Sequence, residues 1–209
     1  MEPNRRTLSD AADLKALAHP LRLDLLEILV LRGPRTATQL AAELGGSPSN
    51  CSWHLRKLAE HGFVTEVAGA TGRQRPWQAV SEGLRWAEGE DDEPETSAAG
   101  HALTDMMLTR ELQRLRVAQE TERFEPPEWR EASNVVQSAL WLTAEEAKQV
   151  STQLQDLLMT HFDRLHHPER RPEGARLVSV VGWLVPRPEQ PGGPRPTSTE
   201  NDDQDEESR

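Results

Sequence analysis

Thr36-Ala37-Thr38-Gln39-Leu40-Ala41-Ala42-Glu43-Leu44, closed by Gly45-Gly46 and followed by Ser47-Pro48-Ser49-Asn50-Cys51-Ser52-Trp53-His54-Leu55-Arg56-Lys57-Leu58, decides the fold. Two short helices around a glycine turn are expected. Thr36 stands where an N-cap belongs, and Leu40, Ala41 and Leu44 share one helical face. Ser47 caps the second helix with Pro48 at its favoured first position, and Cys51, Leu55 and Leu58 form the inward stripe. Ser49, Asn50, Ser52, Trp53, Arg56 and Lys57 fall on the other face. A short helix, a tight turn and a second helix with a hydrogen-bonding outer face match the helix-turn-helix layout, with the second helix as the reader.

Working outward from this pair, the N-terminal side supplies the helices it must pack against. Ser9 is the expected cap of an Ala/Leu helix whose apolar face is Leu14, Leu17 and Ala18. Pro20 marks a break and opens a helix in which Leu21, Leu25, Ile28 and Leu29 recur at helical spacing. Leu23, Leu26 and Val30 widen that face, and Gly33-Pro34 ends it. On the C-terminal side, after Gly62, residues 63–67 and 76–80 read as two strands joined through Gly69, Gly72 and Arg73, a wing.

The expected fold class is therefore mainly α with small β elements. A winged helix-turn-helix domain over residues 10–82 follows a disordered N-terminus at 1–9. Residues 83–100, rich in Asp and Glu around Pro94, read as an acidic linker. Residues 101–186 form a C-terminal α/β region for dimerisation or effector response: a long helix over 101–124, then strand, helix and strand. In it, residues 133–142 are read as a strand, Thr143-Ala144-Glu145-Glu146 as a capping box, and residues 177–185 as a second strand. Residues 187–209 are a disordered acidic tail.

The net charge of −11 divides unevenly. Residues 1–80 carry 10 Lys+Arg against 8 Asp+Glu, whereas residues 81–209 carry 14 against 27. The acidity thus lies outside the proposed reading head, and local cations count for more in phosphate contact than the total. Cys51 is the single cysteine, which excludes an intramolecular disulfide and a cysteine zinc cluster and fits a reducing, cytoplasmic setting. No export signal and no membrane span is read, and no cofactor or metal site is expected. His161, His166 and His167 do not share a helical face. No Gly-x-Ser-x-Gly, phosphate loop or His-Glu-x-x-His is present, so an enzyme is disfavoured.

The runs Leu14-Lys15-Ala16-Leu17-Ala18-His19-Pro20-Leu21-Arg22-Leu23, Leu40-Ala41-Ala42-Glu43-Leu44-Gly45 and His54-Leu55-Arg56-Lys57-Leu58-Ala59-Glu60-His61-Gly62-Phe63-Val64 resemble the ArsR-type winged helix-turn-helix transcriptional regulators. Residues beyond Thr143 resemble the extended C-terminal regions joined to such domains in actinobacteria. The resemblance implies a homodimer on double-stranded DNA, with one recognition helix per subunit in successive major grooves. Metal-sensing members carry a cysteine motif in the helix corresponding to Thr36–Leu44. This chain has none there, so a small-molecule effector would be received by the C-terminal region.

The residues expected to contact DNA are Thr36, Thr38, Gln39, Ser47, Ser49, Asn50, Ser52, Trp53, Arg56, Lys57, Arg73 and Arg75. Asn and Arg suit base edges, while Ser, Thr, Lys and helix-end amides suit phosphates. Arg73 and Arg75 would hold the backbone or minor groove from the wing. Against this stands the plain alternative of a solvated helix face and turn, with Thr36 a cap and nothing more. Arg22 reads as a salt bridge within the helices or as a phosphate contact, the former favoured. Cys51 reads as a buried small apolar residue. A competing function is a protein-interaction module in which the winged helix and the stripe from Ala147 to Leu165 are docking surfaces.

Overall fold

Each of the first four helices starts at a residue that caps it, in a computed structural model that describes residues 5–69, 75–81, 83–86, 93–165 and 167–187. Asp10, rather than Ser9, caps α1 (Ala11–Leu17), accepting from the Ala12 amide at 2.7 Å. His19 Nδ1 accepts from the Leu21 amide at 3.2 Å and so caps α2 (Pro20–Arg32), which Pro20 opens. α3 (Ala37–Leu44) begins in a capping box: Thr36 Oγ1 accepts from the Gln39 amide at 3.2 Å, and Gln39 Oε1 accepts from the Thr36 amide at 2.9 Å. Gly45 ends it in the left-handed region, φ +66°, where a side chain would be strained. Ser47 then caps α4 (Pro48–Glu60) by accepting from the Asn50 amide at 3.2 Å.

These helices share one core. Leu17, Leu25, Leu40, Cys51, Leu55, Leu58 and Phe63 are fully buried in it. Burying one such leucine contributes about 1.5–3 kcal/mol, so the apolar stripes hold the bundle more than any capping bond does. The wing pairs β2 (Val64–Glu66) antiparallel with β3 (Trp77–Ala79), Thr65 opposite Gln78. The Val67 amide, bonded to the Pro76 carbonyl at 2.9 Å, extends the ladder toward the tip. Arg35 bridges to Trp77 through both backbone bonds, tying the wing to the start of α3.

Several boundaries differ from those expected. The segment 1–9 is not wholly frayed: β1 (Arg5–Thr7) pairs in parallel with β4 (Gly83–Arg85), and Leu8 is buried. The anchor is Arg6. Its guanidinium pairs with Asp13, donates to the His61 carbonyl at 2.6 Å and stacks over the Phe63 ring at 4.6 Å. The span 83–100 is not wholly a linker either, because α5 (Pro94–Thr121) already includes Pro94–Gly100 and starts before the expected residue 101. Ala99 and Leu103 are buried in the core, and Trp86 Nε1 donates to Thr104 Oγ1 at 3.0 Å. Apolar burial at the first turns outweighs the acidic composition before Pro94.

Beyond α5, a turn of 3-10 helix at Glu122–Phe124 leads to α6 (Pro127–Ala132). Arg176 holds Glu125 in a two-pronged ion pair at 2.6 and 3.0 Å and lies over Trp129 at 4.7 Å. The chain divides into two compact units, one of residues 1–139 with 161–176 and a second of 140–160 with the residues from 177 on. In the second unit Thr143 and Glu146 form the expected capping box of α7 (Ala144–Met159). The strands expected at 133–142 and 177–185 are not formed. Residues 134–142 and 177–187 have no backbone hydrogen bond, since a strand exists only where a neighbour supplies the other half of its ladder. Of the tail expected at 187–209, only Arg187 lies within the described residues.

Candidate nucleic-acid interface

The turn at Gly45-Gly46 sets α4 against α3 so that Cys51, His54, Leu55 and Leu58 enter the core. The 3.6-residue period then turns Ser49, Asn50, Trp53 and Arg56 outward, all exposed, with Ser52 and Lys57 half-buried at the margins. Thr38 and Gln39 are exposed in the first turn of α3, and Thr36 is half-buried. The expected residues of the two helices thus lie at the start of α3 and along α4. Arg75 is exposed on the tip side of β3, whereas Arg73 lies outside the described residues.

These side chains are not equally free. Thr36, Gln39 and Ser47 spend their polar atoms on the caps, which fixes the helix ends, takes up the Gln39 and Asn50 amides and leaves the earlier amides of Ala37, Thr38 and Ser49 without a partner among the described residues. Ser47 and Ser49 hydroxyls lie 3.3 Å apart. Lys57 is paired with Glu60 at 2.8 Å and Arg75 with Glu66 at 3.0 Å. Arg56 has no ion pair among the described residues. Trp53 is 50% exposed and meets the His54 ring edge-on at 4.7 Å.

Charge arrangement around the face is only partly visible from composition. Glu43, the acid of α3, is taken up by Arg32 at 2.8 Å and Arg35 at 3.4 Å. Two guanidinium groups thus offset its negative charge. No pattern in the sequence marks these partners, because eight and eleven residues separate them from Glu43 across a helix break.

Behind α4 lies a polar cluster that sequence reasoning missed. His54 is 5% exposed, its ring 4.4 Å from that of His19, and its Nδ1 has no hydrogen-bond partner. Arg22 Nε is likewise buried without a partner, so the salt bridge favoured for Arg22 is not made among the described residues. Burial first, then the neighbouring cations, pushes the His54 imidazole below the ordinary histidine value. Burial and then Arg22 do the same to His19, and burial alone lowers Arg22. The signal was available: His54 falls between Cys51 and Leu58 on the inward stripe. Burial also pushes the Cys51 thiol up, away from the reactive thiolate.

Among the described residues no group of three or more His, Cys, Asp or Glu could hold a metal ion, and no helix is long and apolar enough to cross a membrane.

Residues 17–67 match the helix-turn-helix domain family. Among solved structures the chain is 32% identical to a protein described as a possible transcriptional regulator for arsenical resistance, over 51% of this chain and 94% of the other, with a TM-score of 0.30. It is 29% identical to NolR from Sinorhizobium fredii over 34% of this chain and 69% of the other, with a TM-score of 0.31. An ArsR-like transcriptional regulator from Rhodococcus sp. RHA1 is 21% identical over 52% of this chain and 89% of the other, with a TM-score of 0.30. No curated protein matches the chain.

Proposed function

Because residues 17–67 belong to the helix-turn-helix domain family, which makes the chain a DNA-binding transcriptional regulator with an ArsR-like winged helix, we propose that it binds its operator as a homodimer with α4 of each protomer in the major groove. The observation that carries this reading is the outward face of α4. It joins an arginine with no ion pair among the described residues, an asparagine and a half-exposed tryptophan to the open first-turn amides of α3 and α4, with Glu43 held by Arg32 and Arg35.

Roles divide by chemistry. Arg56 and Asn50 have the donors and acceptors for guanine and adenine edges, and Ser49, Ser52 and Trp53 flank them. Thr38, Lys57 and the capped helix starts of Thr36 and Ser47 hold phosphates, with Gln39 beside them. Arg75, once released from Glu66, and Arg73 hold the backbone or minor groove from the wing. Such a protein works in the cytoplasm, is not an enzyme, and receives any small-molecule effector through its C-terminal region. Residues 10–82 are the reading domain and residues 101–186 the dimerising or sensing body.

Genome-wide footprinting of the purified chain on its own DNA tests the proposal. A two-fold symmetric site with half-sites about 10 base pairs apart, centre to centre, is expected. Protection of single unrepeated sites, or binding to a protein partner with no duplex protection at all, would replace it with a monomeric reader or with the docking-module reading.

A further inference from the structure

The second unit has a capped helix and an apolar run but no core of its own. No residue of α7 is buried, and Ala147, Val150, Leu154 and Leu158 are only half-covered. The run 177–185, Leu-Val-Ser-Val-Val-Gly-Trp-Leu-Val, is the most β-prone stretch of the chain. Leu177, Val178, Val180, Val181, Trp183 and Leu184 are nevertheless between 39% and 75% exposed. Its backbone makes no hydrogen bond. At Gly182 it touches α7, where an added Cβ would lie 2.8 Å from Leu154 Cδ2. A strand former apolar on both faces is covered on both faces in a stable fold. One face meets α7 at Gly182; among the described residues the ladder and the other face lack partners.

We propose that residues 177–185 pair as a β-strand with the same run of a second copy across a two-fold axis, so that two C-terminal units complete one core. The inference rests on the homodimer reading above. Self-pairing suits this run because it contains no charge, so antiparallel copies set no like charges opposite one another. The area suffices as well. The exposed fractions of its large side chains add up to about four whole residues, on the order of 150–200 Å² each, or roughly 600–800 Å² per copy, close to the 800 Å² per partner of a standard interface. A lone apolar strand edge of this kind would otherwise template aggregation.

The test uses the full chain in sedimentation velocity, with and without Val181→Pro, which deletes one ladder N–H and locks its backbone. Because each copy loses that group, the dimer dissociation constant is expected to rise by on the order of a hundredfold over the parent, while the helical signal and thermal unfolding of the N-terminal unit stay unchanged. Single cysteines placed in turn along 177–185 keep the strand intact and supply the second readout. Under a mild oxidant they should form disulfide-linked dimers most readily at one position or two adjacent ones, where the two-fold axis passes. A parent dimer that Val181→Pro leaves unaltered, or a scan with no linked dimer at any position, overturns the strand pairing and leaves the homodimer reading standing. A parent that stays monomeric at all concentrations and on DNA overturns both.

Discussion

Replacing Arg56 by alanine should reduce the salt dependence of DNA binding more than replacing its neighbour Lys57. Arg56 is exposed and has no ion pair among the described residues, so its full charge is available to a phosphate or a base edge. Lys57 must first leave Glu60, 2.8 Å away. A cation that displaces one condensed counterion contributes about 0.9 to the slope of log K against log salt. Two copies in a dimer contribute about 1.8. Across a fourfold change in salt, from about 50 to about 200 mM, that difference amounts to roughly tenfold in affinity. The assay is fluorescence anisotropy on a labelled duplex of generic sequence about three helical turns long, titrated at several salt concentrations. Circular dichroism confirms folding, and Arg116→Ala on the exposed side of α5 is the control. A larger loss for Lys57→Ala refutes the ranking of Arg56 as the freer cation, and an unchanged slope for both variants refutes the assignment of the α4 face.

Three further outcomes follow from the core and the caps. Leu55 is fully buried, so Leu55→Ala should destabilise the N-terminal unit by about 2–5 kcal/mol in urea unfolding; a change well below that would mean the core closes over the cavity. Thr36→Ala removes one arm of the capping box and should cost about 1 kcal/mol by the same measurement, with Thr36→Ser restoring most of it. His54 and His19 are both held below the ordinary histidine value, so the unfolded chain takes up protons that the folded one resists as pH falls below about 6.5. Their contribution is complete above that pH and is lost on acidification. His54→Leu should therefore flatten the decline in stability between about pH 7.5 and about pH 5.5; an unaltered decline would place the acid sensitivity elsewhere.

Most of the reading head is legible in the chain because its signals are local. Thr36 with Gln39, Gly45, and Ser47 before Pro48 act within one helical turn, so caps and turn follow from neighbours in sequence, and the stripe Cys51, Leu55, Leu58 names the buried face of α4. What requires the three-dimensional structure is contact between distant segments. Arg6 reaches Asp13 and the end of α4, so a stretch expected to fray becomes a strand. Ala99 and Leu103 dock on the core, so part of an acidic linker becomes helix. His54 enters the core beside His19 and Arg22, three polar residues that polarity alone would place outside.

Sequence by itself determined the helix-turn-helix, its wing and the uneven charge, since each rests on short-range periodicity, capping and composition. Tertiary structure decided which cations are free. Glu43, Glu60 and Glu66 hold Arg32 with Arg35, Lys57 and Arg75, and among the described residues Arg56 is left without such a partner. It decided, too, that the run 177–185 stays unpaired within one chain, because a β-strand is specified by its neighbour's backbone as much as by its own side chains.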